Sequence, residues 1–176
     1  MTDASDGRKY EFYWGLIGDL DIGRPNLGNM IRVEIYRLMQ FTFRDAMERK
    51  FGADIADEIF YEAGKIAGNA FYERFLTGAK DLGGFVKLTQ DTMREYGMGV
   101  FRVERADHDA KKLVVTVSED LDCSGLPEVD YEVCKYDEGL IAGMMESFTG
   151  NPYNVKEVDC WCTGDRTCRF SADMRE

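Results

Sequence analysis

Three of the chain's five cysteines lie close together near the carboxyl end, in the run Glu157-Val158-Asp159-Cys160-Trp161-Cys162-Thr163-Gly164-Asp165-Arg166-Thr167-Cys168-Arg169-Phe170. No other stretch restricts the fold as much, because soft ligands gathered around a Gly-Asp turn must meet at one point. Trp161 and Cys162 lead into Thr163-Gly164-Asp165-Arg166, and Cys168 and Phe170 follow on alternating positions, which reads as two short strands about a tight loop. Folding about Gly164 sets Cys160 opposite Cys168. Directly opposed residues of an antiparallel pair have β-carbons roughly 4.5–5.5 Å apart. From there two thiolates reach one ion at about 2.3 Å each.

The same spacing suits a disulfide, so context decides. The cysteine count is odd, and Met1-Thr2-Asp3-Ala4-Ser5-Asp6-Gly7 lacks the basic and apolar regions of a signal peptide. A cytoplasmic protein with reduced thiols is therefore expected, and its clustered thiols read as metal ligands. A closed tetrahedral site needs two more ligands, for which Cys134, Glu157, Cys162 and Cys123 are the candidates. Glu157 lies three residues before Cys160, and in a regular strand it faces the other side. It reaches the same ion only if the backbone bulges there. The plainer alternative is a solvated carboxylate beside small buried cysteines.

At this point the sequence resembles a family. Cys134-Lys135-Tyr136-Asp137-Glu138-Gly139-Leu140-Ile141-Ala142-Gly143, Glu157-Val158-Asp159-Cys160 and Gly164-Asp165-Arg166-Thr167-Cys168-Arg169-Phe170 together are similar to the closing half of the 4-vinyl reductase domain. That domain also serves as the small-molecule sensor of bacterial activators responding to aromatic hydrocarbons. Less specifically, Gly23-Arg24-Pro25-Asn26-Leu27-Gly28-Asn29 and Val33 to Leu38 resemble the start of stand-alone members. The resemblance implies a structural zinc ion held by Cys134, Glu157, Cys160 and Cys168, with Cys162 and Cys123 outside the ligand set. It also implies a mixed fold shared with vesicle-tethering subunits and related to haem sensors, a small hydrophobic ligand, and a homodimer.

Lys plus Arg number 22 against 33 Asp plus Glu, a net charge of −11 that repels phosphate backbones and anionic lipid. Neither nucleic acid nor a membrane is expected as partner. No apolar run approaches the roughly 20 residues that span a bilayer. Residues 1–9 read as a polar tail and 10–176 as one domain, with Tyr10 to Ile17 apolar enough to dock on its core.

Periodicity predicts a helix over Val33 to Lys50, with an apolar face of Ile35, Leu38, Met39, Phe41, Phe43, Ala46 and Met47, stopped by Gly52. Asp54 opens the clearest helix, whose Ile55, Ile59, Ala63, Ile66, Ala67, Ala70, Phe71 and Phe75 form one stripe expected to be buried. Further helices are predicted over Phe85 to Tyr96 and Tyr131 to Phe148, with strands at Gly99 to Arg105 and Leu113 to Ser118. Helices ahead of an antiparallel sheet, with a later helix before the closing zinc-clipped hairpin, make an α+β domain. Gly64 and Gly68 in one helix and Gly139 and Gly143 in another each cost roughly 1 kcal/mol against alanine, which points to close backbone approach. Glu119, Asp120 and Asp122 read as the start of a solvated loop, and His108, the only histidine, as part of a charged turn.

A pocket is implied by the resemblance, and 11 Phe, 9 Tyr and 9 Met supply side chains for one. Phe71, Phe75, Met98, Phe101, Met144 and Phe148 are its candidate lining. No catalytic residue is assigned, and no nicotinamide, flavin or iron-sulfur motif is visible. Three functions follow. The first is a zinc-containing sensor or carrier of an aromatic hydrocarbon, tetrapyrrole or similar molecule, acting on a separate output protein. The second is a tetrapyrrole vinyl reductase or its accessory subunit, and the third is a tethering module.

Overall fold

The structure, a computed structural model, describes residues 9–107 and 111–175. The expected tail, apart from Lys9, and His108 itself lie outside the described residues. The chain divides into two units, Met1–Ile31 and Arg32–Glu176. In the first, a 3₁₀ turn spans Trp14–Ile17 and a short helix, α1, spans Leu20–Gly23, capped by Asp19, whose carboxylate accepts from the Ile22 amide at 3.0 Å. None of the residues in these two elements is buried.

The second unit begins with α2 (Val33–Phe51) and α3 (Ala53–Phe71), joined at Gly52. Gly52 has φ +88°, a conformation that lets the chain reverse between helices with no side-chain penalty. A π-helical turn, Tyr72–Leu76, extends α3, and α4 (Leu82–Glu95) starts at Asp81, which accepts from the Gly84 amide at 2.8 Å. Strands β1 (Val100–Asp107) and β2 (Lys112–Ser118) follow, then α5 (Lys135–Thr149), β3 (Tyr153–Asp159) and β4 (Cys168–Met174). The four strands form one antiparallel sheet in the order β1-β2-β4-β3. The α+β class with a carboxyl-terminal hairpin is thus as the sequence predicts.

Helix α5 is buried on every side from Glu138 to Met145, which fits its place between α3 and the sheet. The glycines explain how α3 comes so close. A β-carbon on Gly64 would sit 2.0 Å from the Tyr136 carbonyl oxygen, and one on Gly68 2.2 Å from that of Leu140. The relation is mutual, since Gly139 would meet the Tyr61 oxygen at 2.0 Å and Gly143 that of Lys65 at 2.3 Å. Nothing larger than hydrogen fits at these four positions. On the sheet side Val115, Val117, Val155, Phe170 and Ala172 meet Leu140, Ile141 and Met144 in the core.

The stripe expected to be buried on α3 is placed differently. Its buried residues are Ala56, Gly64, Gly68 and Phe71, whereas Ile55, Ile59 and Ile66 are exposed. Likewise α2 buries no residue, and Phe43 and Met39 are each 64% exposed. Close approach selected the small residues of α3, leaving the large ones facing outward.

Candidate metal centre

The fold brings four thiols together from three segments. Cys123 comes from the loop after β2, Cys134 caps the start of α5, and Cys160 and Cys168 flank the β3–β4 turn. Their sulfur atoms all lie within 4.8 Å of one another, and all four residues are buried. Cys134 Sγ is 3.9 Å from both Cys160 Sγ and Cys168 Sγ, and Cys123 Sγ is 3.0 Å from Cys168 Sγ. All five cysteines are free thiols.

Local structure aims each sulfur. A register shift in β3 between Glu157 and Asp159 inserts the bulge that the sequence argument required, so Glu157 and Cys160 both face inward. After Cys160 the chain makes a 3₁₀ turn over Trp161–Thr163. The Thr163 hydroxyl donates to the Cys160 carbonyl at 3.0 Å, and Gly164 at φ +100° completes the reversal. Cys162 is buried, but it is absent from the four-sulfur group, and burial followed by the nearby Cys160 pushes its thiol up to about 12. Hydrogen bonds with Cys123, Cys134 and Cys168 hold the Cys160 thiol far below its ordinary value, while those with Cys123, Cys160 and Cys168 raise Cys134.

Glu157 stands beside the sulfurs. Its Oε2 accepts from the Cys134 amide at 3.2 Å, and its Oε1 is buried with no hydrogen-bond partner. Burial, then the Cys168 and Cys160 sulfurs, pushes its carboxyl up to about 10. Four soft donors and an orphaned carboxylate oxygen fit a divalent ion such as zinc. An ion with four protein ligands has no place for a reactive water, so its chemistry would be structural.

The acids after β2 correct the solvated-loop reading, because Asp120 and Asp122 are 3% and 4% exposed. Asp120 Oδ1 accepts from the amides of Asp122 (2.8 Å) and Cys123 (3.1 Å), and Tyr36 donates its hydroxyl to Asp122 Oδ1 at 2.8 Å. Arg37 donates to the carbonyls of Leu121 (2.7 Å), Ser124 (3.0 Å) and Asp120 (3.3 Å). Burial, then Asp122, pushes Asp120 up to about 7, and burial together with both aspartates raises Asp137 well above the carboxylate range. Sequence reasoning also gave no role to Glu138. This fully buried residue accepts from the Glu157 amide at 3.0 Å and pairs with Lys135 (3.0 Å) and Lys156 (3.3 Å).

All six candidate pocket residues belong to the core or pack against it. Phe71, Phe101 and Met144 are core residues, and Phe75 and Met98 pack against that core. Phe148 stacks on Phe85 at 4.5 Å and lines an apolar cavity of about 270 Å³ with Leu82, Leu113, Met145, Tyr153 and Met174. Asp107, Lys111 and Lys112 add polar groups to its wall.

Residues 113–173 match the family model of the 4-vinyl reductase domain. The segment runs from β2 through α5 to β4 and contains all four sulfurs of the cluster. The sequence resemblance is thereby supported over the part of the chain that carries the site. An uncharacterised protein of Methanocaldococcus jannaschii is 26% identical over 84% of this chain and 81% of its own length. The phenol-responsive sensory domain of the transcription activator PoxR, solved with phenol, is similar in fold at a TM-score of 0.63, with 14% identity over 83% of this chain and 76% of its own. A trafficking protein particle complex subunit 3 from Naegleria fowleri, covalently bound to palmitic acid, has a TM-score of 0.64 and 12% identity over 82% of this chain and 95% of its own. No helix among the described residues is long and apolar enough to cross a membrane.

Proposed function

We propose that this chain, through its match to the 4-vinyl reductase domain, is a metal-clipped module that binds a small hydrophobic molecule as sensor or carrier and pairs with a second copy of itself. The observation that carries the reading is the course of α5. One end of this helix starts at Cys134 in the sulfur cluster, and the other supplies Met145 and Phe148 to the apolar cavity. Fifteen residues make a rod about 22 Å long. A ligand seated against Phe148 bears on the same helix that the ion holds at its start. The phenol and palmitate named for the two structural relatives support an apolar occupant. The exposed Ile35, Met39 and Phe43 of α2 support a protein partner on that face, here a second copy. Five free buried thiols suit a reducing compartment such as the cytoplasm.

Zinc is the ion this reading assigns, held by Cys134, Cys160 and Cys168 with a fourth ligand from Glu157 or Cys123. Elemental analysis with native mass spectrometry of protein purified without added ligand tests the metal and the pairing together. One zinc per chain and a mass twice the 20.1 kDa of the chain are expected. Palmitate and phenol, titrated separately, test the cavity, and Phe148→Ala should weaken binding of whichever is taken up. If neither binds at about 1 mM and no small molecule accompanies the pure protein, the ligand reading fails and the tethering reading takes its place.

A further inference from the structure

We infer that Cys123, and not Glu157, completes the metal site, so that one ion fastens the loop after β2 as well as α5 and the hairpin. This rests on the metal reading above and departs from the ligand set that the family resemblance implies. Four sulfurs each about 2.3 Å from a central ion lie about 3.8 Å from one another. Two of the observed separations are 3.9 Å, and the 3.0 Å contact between Cys123 and Cys168 must open by about 0.8 Å to meet that spacing. The sulfur of Cys123 is inside the convergent group, whereas no Glu157 oxygen is. One oxygen of Glu157 is committed to the Cys134 amide, which makes this glutamate a positioning residue for the first turn of α5.

Cys123 is also held in place. Asp120 accepts from its amide, and Arg37 on α2 grips the carbonyls on either side of it, at Leu121 and Ser124. A ligand anchored in this way is oriented before the ion arrives, each thiol giving its proton to solvent as its bond to the metal forms. The ion would then connect the hairpin, through the loop, to α2. Glu157, with its unpartnered oxygen nearby, stands as the substitute ligand if the thiol is lost.

X-ray absorption at the zinc edge on the full chain decides the matter. Four sulfurs at about 2.3 Å are expected in the wild-type protein and in Glu157→Gln. In Cys123→Ser, three sulfurs and one oxygen at about 2.0 Å are expected. Three sulfurs plus an oxygen in the wild type overturns the assignment, even if the cysteine variant does not fold. As a second readout, amide exchange of residues 120–124 should slow on adding zinc to metal-free protein, and unchanged exchange there counts against it. Wild-type protein that binds no zinc sinks the underlying metal reading instead, an outcome distinct from a three-sulfur site.

Discussion

Where α3 meets α5, four glycines let two backbones touch. Where α3 and α2 turn outward, Ile55, Ile59, Ile66, Ile35, Met39 and Phe43 stand in water. Counting apolar residues would reverse the two faces, since the isoleucines are the more hydrophobic and the glycines contribute nothing to transfer energy. The difference teaches that size decides which face of α3 is closed inside the chain. A helix pressed against a buried neighbour on its smooth side keeps its bulky side for something else.

The comparison breaks most readily at the glycines. Gly139→Ala places a methyl group 2.0 Å from the Tyr61 oxygen, a collision with backbone that cannot rotate away. It should cost about 3 kcal/mol and lower the melting temperature by roughly 6–12 °C. Calorimetry showing a change of under roughly 2 °C would mean that the helices separate more easily than the geometry allows. Next in size is the outer face. Burying a phenylalanine is worth roughly 1.5–3 kcal/mol, so Phe43→Asp should weaken pairing about thirtyfold and leave the helical circular dichroism intact. Light scattering that reports an unchanged mass removes this face from the proposed interface.

The smallest effect sharpens the contrast within α5. Chelating the proposed metal should speed amide exchange near Lys135 to Glu138 by roughly tenfold, about 1.4 kcal/mol, while Leu140 to Gly143 stay protected by the glycine contact. Equal acceleration along the helix would show that the ion and the glycines stabilise one unit and not two ends.

How much of this was legible beforehand follows from the range of each cause. The helix predicted to end at Lys50 ends at Phe51, because Gly52 is a local stop signal. Both glycine pairs were read as close backbone approach, since glycine inside a helix has few other reasons to be there. The helix predicted from Phe85 begins three residues earlier, at Leu82, because the Asp81 cap offsets the poor helix propensity of Gly83 and Gly84. The helix predicted from Tyr131 begins four residues later, at Lys135, since Tyr131 to Cys134 continue an apolar rhythm that the chain does not follow.

The buried acids were out of reach. Asp120 and Asp122 depend on Tyr36 and Arg37, more than 80 residues away in sequence. Cys123 left one faint local signal, an aspartate three residues before it, which accepts the Asp122 amide at Asx-turn spacing and the Cys123 amide one residue further on. Glu138 on α5 is hidden for the same reason as the acids, because Lys156 and the Glu157 amide reach it from β3.

One extra residue at the end of β3 has an effect out of proportion to its size. Strand side chains keep a strict two-residue phase, and the insertion advances that phase by half a cycle just before the turn. Upstream of it, the parity of β3 serves the packing of the sheet; downstream, it delivers Cys160 to the sulfurs. Deleting Val158 together with its bulge would set Cys160 two residues after Glu157 and keep both on one face, so the site tolerates losing the insertion but not a regular strand of the present length.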